Sequence, residues 1–263
     1  MEQIAEAGCI YLAEPSARLV DGFFRLRTLG QHQVKGVQHP VGVFELESVG
    51  AVLTRLQAAE RRGFSQFVGC GAEMGILEAA LESALEGRGR VVGVVGEPGV
   101  GKSRLCREFV LKSKMRGISV IEAHCPAHGR NVLYIPVLEL FRAYFGITEQ
   151  DSAPEARRKS AGALLMLDES FREVLPLVFE FLAVPDPKNP APRIDPQVKQ
   201  HQLYAFLRGL VRTRSDAEPL VVLVDDLHWI DNASDAFLAE FVEALEGTCT
   251  LYLRNFRPEY SAA

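Results

Sequence analysis

Gly96, Glu97, Pro98, Gly99, Val100, Gly101, Lys102 and Ser103 together satisfy the pattern G-x-x-x-x-G-K-[ST] in full. Each residue type in it has a chemical reason. Glycines let backbone N–H groups converge on phosphate oxygens with no Cβ in the way. A helix starting at Lys102 adds its positive dipole end. The Lys102 ammonium reaches β- and γ-phosphates, and the Ser103 hydroxyl ligates magnesium. A chance glycine turn between strand and helix is the alternative, and it is the weaker one for a complete motif in this setting.

A second constellation lies downstream. The apolar run Leu220–Val224 ends in Asp225 and Asp226, followed by Leu-His-Trp-Ile and Asp231. Such a strand delivers two carboxylates to its C-terminal edge, where open α/β sheets bind their ligands. Asp225 is expected to hold magnesium through water, and Asp226 to orient or deprotonate an attacking water. An acidic turn capping the next helix is the bland reading, although Asp231 or Ser234 can serve that purpose. The phosphate motif upstream decides between them.

The elements that must position these residues alternate as in a parallel α/β sheet. A helix is expected around Glu73–Leu85. Arg90–Val95 is a Val-rich run, as for a strand covered on both faces. The helix after the loop should bury Leu105, Cys106, Phe109 and Val110. Ile118–Ala123 reads as a strand, residues 134–183 as helical with a break near Asp151–Pro154, and Val184–Pro196, with five prolines, as an irregular loop. Gln197–Arg212 is helical, Leu220–Val224 a strand, Ser234–Leu245 a helix and Thr248–Leu253 the last strand. Upstream, residues 8–48 read as short strands and turns, including Gly22–Leu29 and Val41–Leu46, and residues 50–62 as a connecting helix.

Bulk composition excludes several classes. The chain has 263 residues, 48% hydrophobic and 24% charged, with a formal net charge of -5, which favours neither nucleic acid nor an anionic membrane. Five scattered cysteines without a C-x-x-C pair argue against a disulfide framework and for a reducing, cytoplasmic setting. The start lacks a signal-peptide pattern, and Leu175–Val184 is too short and polar to span a bilayer. His124, Cys125 and His128 fit no complete zinc pattern. Arg157, Arg158 and Lys159 read most simply as a solvated helix face, and Trp229 as a packing anchor.

From Phe67 onward the chain resembles the STAND branch of P-loop ATPases. The residues carrying this are Phe67, Val68 and Gly69 with Glu73 and Leu77, the phosphate motif, Asp225 to Asp231, and Asn255, Phe256, Arg257, Pro258 and Glu259. The resemblance implies a P-loop NTPase α/β fold, with a parallel sheet flanked by helices, that binds ATP and Mg2+. It places Val68 and Gly69 against the adenine, Gly96 to Ser103 and Arg104 around the nucleotide, Ser103 and Asp225 on the metal, and Asp226 and Arg257 in catalysis, Arg257 sensing the γ-phosphate. Residues 5–46 resemble the C-terminal end of a class III adenylate/guanylate cyclase, through Ala5–Gly8, Ser16–Phe23, Leu29-Gly30, Val34–Val37, Pro40-Val41 and Phe44–Leu46. The expected organisation is a small β-rich cyclase tail over 1–48, a helical linker over 49–66, and the ATPase domain over 67–263.

Three departures qualify the resemblance. Cys70 stands where the family has arginine, Arg254 where the last strand is usually apolar, and the cyclase metal-binding aspartates would precede Met1. Lys35 matches a triphosphate contact but cannot catalyse alone, so no cyclase activity is expected. A fifth strand beside Arg90–Val95 would come from sequence beyond Ala263, leaving that strand an edge. The first reading is an ATP-dependent signalling switch with slow hydrolysis, exchanging ATP for ADP, acting on attached domains or protein partners and compatible with a nucleotide-dependent oligomer. The others are a component of a cyclase completed elsewhere and a nucleotide-binding adapter without turnover.

Overall fold

A computed structural model of the chain describes residues 5–21, 23–33, 39–49, 66–127, 132–215 and 218–260. It divides into two compact units, Met1–Gly69 and Cys70–Ala263. The expected connecting helix over 50–62, the segment Val34–Val37 with Lys35, and His128 lie outside the described residues.

The first unit holds β1 (Tyr11–Ala13), α1 (Glu14–Val20), β2 (Phe24–His32) and β3 (Val41–Val49). Its sheet is antiparallel, in the order β1-β3-β2. Both long strands outrun the stretches whose alternation marks them, because cross-strand pairing continues from Phe24 with Val49 to His32 with Val41. Register shifts fall between Arg25 and Leu26 and between Thr28 and Gly30. Gly30, at φ +89°, supplies the left-handed residue that such a bulge takes.

The second unit runs α2 (Gly71–Leu85), β4 (Arg90–Val95), α3 (Lys102–Met115), β5 (Ser119–His124), α4 (Ile135–Tyr144), α5 (Ala153–Leu167), α6 (Leu175–Phe181), α7 (Pro196–Ser215), β6 (Leu220–Asp225), α8 (Asn232–Glu243) and β7 (Thr250–Phe256). The four strands are parallel, in the order β4-β7-β6-β5. Every residue of β6 is buried, as its unbroken apolar run requires of a central parallel strand. Side chains alternate across the sheet. Val222, Val224 and Tyr252 join one core cluster with residues of α4, α7 and α8. Val221, Leu223, Leu251 and Leu253 are buried on the opposite face, where α3 contributes Leu105, Cys106, Phe109 and Val110.

Three expectations need correction. β4 is not covered on both faces, Val91 and Val95 being 37% and 52% exposed, although the edge position expected for it does hold among the described strands. The last strand does not stop at Leu253 but carries Arg254 within it, the guanidinium lying 5.6 Å from the Phe256 ring centroid. That stacking lets a cation occupy a strand position otherwise apolar. The cations of α5 are not merely solvated. Arg157 donates to the carbonyls of Val184 and Pro185 at 3.3 and 2.9 Å. Lys159 donates to the Gly146 carbonyl at 2.8 Å and to Asp151 at 2.7 Å. The Lys159 ammonium, with the Thr148 N–H, holds the Asp151 carboxyl down at about 2.

Between β5 and β6 the chain inserts α4 to α7. The expected break near Asp151–Pro154 is present, and a capping box between Ser152 and Glu155 starts α5 there. A second break at Asp168 was not legible. Asp168 accepts the Ser170 N–H at 2.7 Å and turns the chain into a 3-10 turn over Glu169–Val174. No helix among the described residues is long and apolar enough to cross a membrane.

Entry into β4 depends on a close approach. A Cβ on Gly89 would lie 2.0 Å from the Leu245 carbonyl oxygen and 2.9 Å from its carbon. Backbone cannot rotate aside as a side chain can. Gly89→Ala is therefore expected to lose about 2 kcal/mol of stability, seen as a lower urea midpoint with an unchanged slope. A midpoint equal to the wild type's would show that the contact is not maintained.

Candidate functional site

The phosphate loop joins the C-terminal end of β4 to the first turn of α3. Gly99 and Gly101 take φ of +83° and +99°, a region in which a side chain would be strained. Gly101 is the N-cap of α3 and supplies no side-chain cap, so the first N–H groups of the helix stay available to an anion. A Cβ on Gly96 would press on Val100 Cγ2 at 3.1 Å, while Val100 itself is 62% exposed. The Lys102 ammonium donates to the carbonyls of Gly96 and Glu97 at 2.7 and 3.0 Å, which folds its head back over the loop.

Three adjacent strand ends complete the site. His124 pairs in register with Asp225, and Val224 with Arg254, so Asn255 follows as the next residue in the row. Residues opposite one another in a parallel pair share a face. His124, Asp225 and Asn255 thus line up on the face that carries α3. The Ser103 hydroxyl donates to Asp225 Oδ1 at 3.0 Å. Asn255 is wholly buried. Its Nδ2 donates to the same Asp225 oxygen, and its Oδ1 accepts the Asp226 N–H at 2.9 Å. The second bond fixes which way the amide points.

Asp226 stands at φ +58°, a left-handed conformation that aspartate tolerates better than most residues. Its side chain is half exposed. Burial raises its carboxyl above the ordinary value, and the neighbouring Asp225 charge adds to this, against the fields of Lys102, Arg257 and His124. The Arg257 guanidinium lies 5.6 Å from the Trp229 ring centroid, so Trp229 supports the cation it accompanies. Arg104 pairs with Glu108 along α3. Asp231 accepts the N–H of Ser234 at 2.9 Å, capping α8, and the N–H of Tyr134 at 3.3 Å.

His124 has a dedicated partner. Glu139 of α4 accepts the His124 backbone N–H at 2.9 Å and faces Nδ1 at 2.9 Å. Burial pulls the imidazole down, but Glu139, with Asp225 and Glu122, outweighs it and raises the group overall. Cys125 donates its N–H to the Asp225 carbonyl at 3.0 Å and, like Cys106, is buried with its thiol pushed up by desolvation. Buried protonated thiols are core residues rather than nucleophiles.

The structure therefore brings together Gly96, Glu97, Gly99, Gly101, Lys102, Ser103, Asp225 and Asp226, while Arg257 lies over the Trp229 ring. Val68, exposed, and Gly69, at φ +87°, belong to the first unit. Asn255, His124 and Glu139 are additions. Asn255 carried a signal, being a lone amide in an apolar strand. The pairing of His124 with Glu139 follows only from the packing of α4 on β5.

The residues fit magnesium triphosphate: an uncapped helix start, an ammonium, and a hydroxyl bonded to a carboxylate. Such a site on a parallel sheet defines a nucleotide-binding P-loop domain. A family model described as the AAA ATPase domain matches residues 66–253, and the chain belongs to that family. It is also similar to an uncharacterized protein of Rhizobium meliloti (strain 1021), with 24% identity over 264 residues, covering 100% of this chain and 25% of that protein. The chain thus spans about a quarter of the length of that curated relative.

Proposed function

We propose that the chain is an ATP-dependent switch of the STAND type, which binds Mg-ATP, hydrolyses it slowly and passes the change to attached domains or partner proteins. The observation that carries this reading is the bond from Ser103 to Asp225, residues 122 apart in sequence. It joins the two halves of a phosphate and metal site. Ser103 and Asp225 are the residues that would hold magnesium, whose chemistry is to bridge and neutralise phosphate oxygens. Lys102 and the loop N–H groups bind the phosphates, Asp226 takes a proton from the attacking water, and Arg257 reads the terminal phosphate. Val68, Gly69 and Arg104 are assigned to the nucleotide on the resemblance alone. We assign residues 1–48 to a cyclase-like tail, 49–66 to a linker and 67–263 to the ATPase domain, in the cytoplasm.

Phosphate release and nucleotide affinity, measured on the wild type and Asp226→Asn, test the proposal. The variant is expected to bind Mg-ATP within about twofold of the wild type and to lose at least about 100-fold in turnover, as for removal of a general base. Turnover undiminished in Asp226→Asn would remove that residue from the reaction. Binding without turnover in the wild type would favour a non-hydrolysing adapter.

A further inference from the structure

On the face of the sheet opposite α3, the second unit encloses an apolar cavity of about 70 Å³, walled by α4, α7, α8 and three strands. It lies toward the N-terminal ends of those strands: Leu220 opens β6, Thr250 opens β7, and both line it. The phosphate loop and Asp225 stand at the other, C-terminal ends. Protein interiors are close-packed and leave few voids of this size. The residues around it are buried except for Ile121, Tyr144 and Arg214, which are partly exposed and so mark its mouth.

The mouth is polar where the interior is not. Tyr144 is the last residue of α4, and Arg214 lies in the last turn of α7. The Arg214 guanidinium is 5.6 Å from the Tyr144 ring centroid. It donates to the Glu218 carbonyl at 2.9 Å, and among the described residues it pairs with no carboxylate. A guanidinium has five donors, so a bond to one carbonyl still leaves it able to hold a carboxylate. Burial raises the Tyr144 phenol above its ordinary value, against the effect of Arg214, so the hydroxyl stays a donor at neutral pH. A cation here also offsets the negative end of α7, but that role needs no cavity beside it.

Small-molecule sites are apolar pockets with a few polar groups that fix orientation, and this cavity has that make-up. An engineered apolar cavity of about 150 Å³ holds benzene. One about half as large takes roughly two or three aliphatic carbons, with the rest of a short chain lying in the mouth. We propose that the cavity is a second ligand site, which takes a short aliphatic monocarboxylate with its tail inward and its carboxylate on Arg214. The site is separate from the phosphate loop and does not depend on the hydrolysis reading. Ligand seated there would bridge α4, α7 and α8, and would bind beside nucleotide rather than in its place.

The test titrates the full chain with hexanoate, acetate, hexylamine and hexanol, read by ligand-observed NMR, with and without saturating Mg-ATP. Hexanoate is expected to bind at least about 10-fold more tightly than acetate, which lacks the tail, and than hexylamine, which carries the wrong charge. Arg214→Gln should weaken hexanoate at least about 10-fold and leave hexanol and Mg-ATP within about twofold. Val211→Leu, which fills part of the cavity from α7, should weaken hexanoate and hexanol together. Absence of hexanoate binding, equal binding of hexylamine, or full hexanoate affinity in either variant would overturn the proposal. Loss of hexanol along with hexanoate in Arg214→Gln would overturn the role given to the guanidinium. Displacement of hexanoate by Mg-ATP would place the carboxylate at the phosphate loop and overturn the second site, while leaving the nucleotide reading intact.

Discussion

Lys102→Ala is expected to weaken Mg-ATP binding at least about 100-fold, a loss of about 2.7 kcal/mol. The ammonium is a compact charge with three donors, and two of them already point at the carbonyls of Gly96 and Glu97. It therefore holds the loop's shape as well as supplying charge to the phosphates. The freed carbonyls belong to a loop with exposed members such as Val100, so water replaces the lost bonds at little cost to folding. The unfolding temperature without nucleotide should stay within about 2 °C of the wild type's, while the rise that saturating Mg-ATP gives the wild type should vanish. Calorimetric titration beside thermal unfolding checks both halves. Full binding in the variant would move the site away from the phosphate loop.

Asn255→Leu should do the opposite and damage the protein before any ligand is added. Asp225 is 6% exposed and Asn255 is wholly buried, so neither can turn to water when its partner is removed. Leucine fills the space but takes a donor from a buried carboxylate and an acceptor from the Asp226 N–H. Each stranded group costs about 1–3 kcal/mol, so a loss of about 3 kcal/mol is expected. For a domain of this size that corresponds to roughly 6–12 °C in unfolding temperature. Asn255→Asp sharpens the test. At neutral pH it sets a second carboxylate against Asp225, and one of the two must hold a proton that it would otherwise give up. The folded protein then binds more protons than the unfolded chain at neutral pH, so this variant's deficit should shrink as pH falls from about 7.5 to 5. A deficit unchanged by pH would mean that the two side chains do not face each other.

Much of the sheet was legible because its elements carry local signals. The Val-rich runs of β4 and β6, the glycine loop and the apolar face of α3 each show in a short window of sequence. Arg90–Val95 and the buried set Leu105, Cys106, Phe109 and Val110 follow from such windows. What was not legible depends on partners far away in the chain. The Val-rich run of β4 by itself reads as a doubly covered strand, and its edge position was expected only through the family resemblance, because exposure is set by which strands lie beside it. Arg157 and Lys159 read as surface charge because the carbonyls they hold belong to loops elsewhere. Within the site, the phosphate loop is contiguous and stands out, and Asp225 and Asp226 stand at a strand end. His124 and Glu139 lie on separate elements, β5 and α4, and become a pair only when α4 settles on β5.

The strand order β4-β7-β6-β5 has a kinetic consequence. Among the described residues β4 pairs only with β7, the last of their strands, and the insertion α4 to α7 must be closed before β5 can meet β6. Folding by such long-range pairing is slow, and the phosphate loop cannot meet Asp225 until it is nearly finished. Nucleotide can therefore reward only chains that have completed the sheet. In a cell, Mg-ATP would act as a proofreader of this domain, sparing finished molecules from proteolysis and leaving incomplete ones exposed.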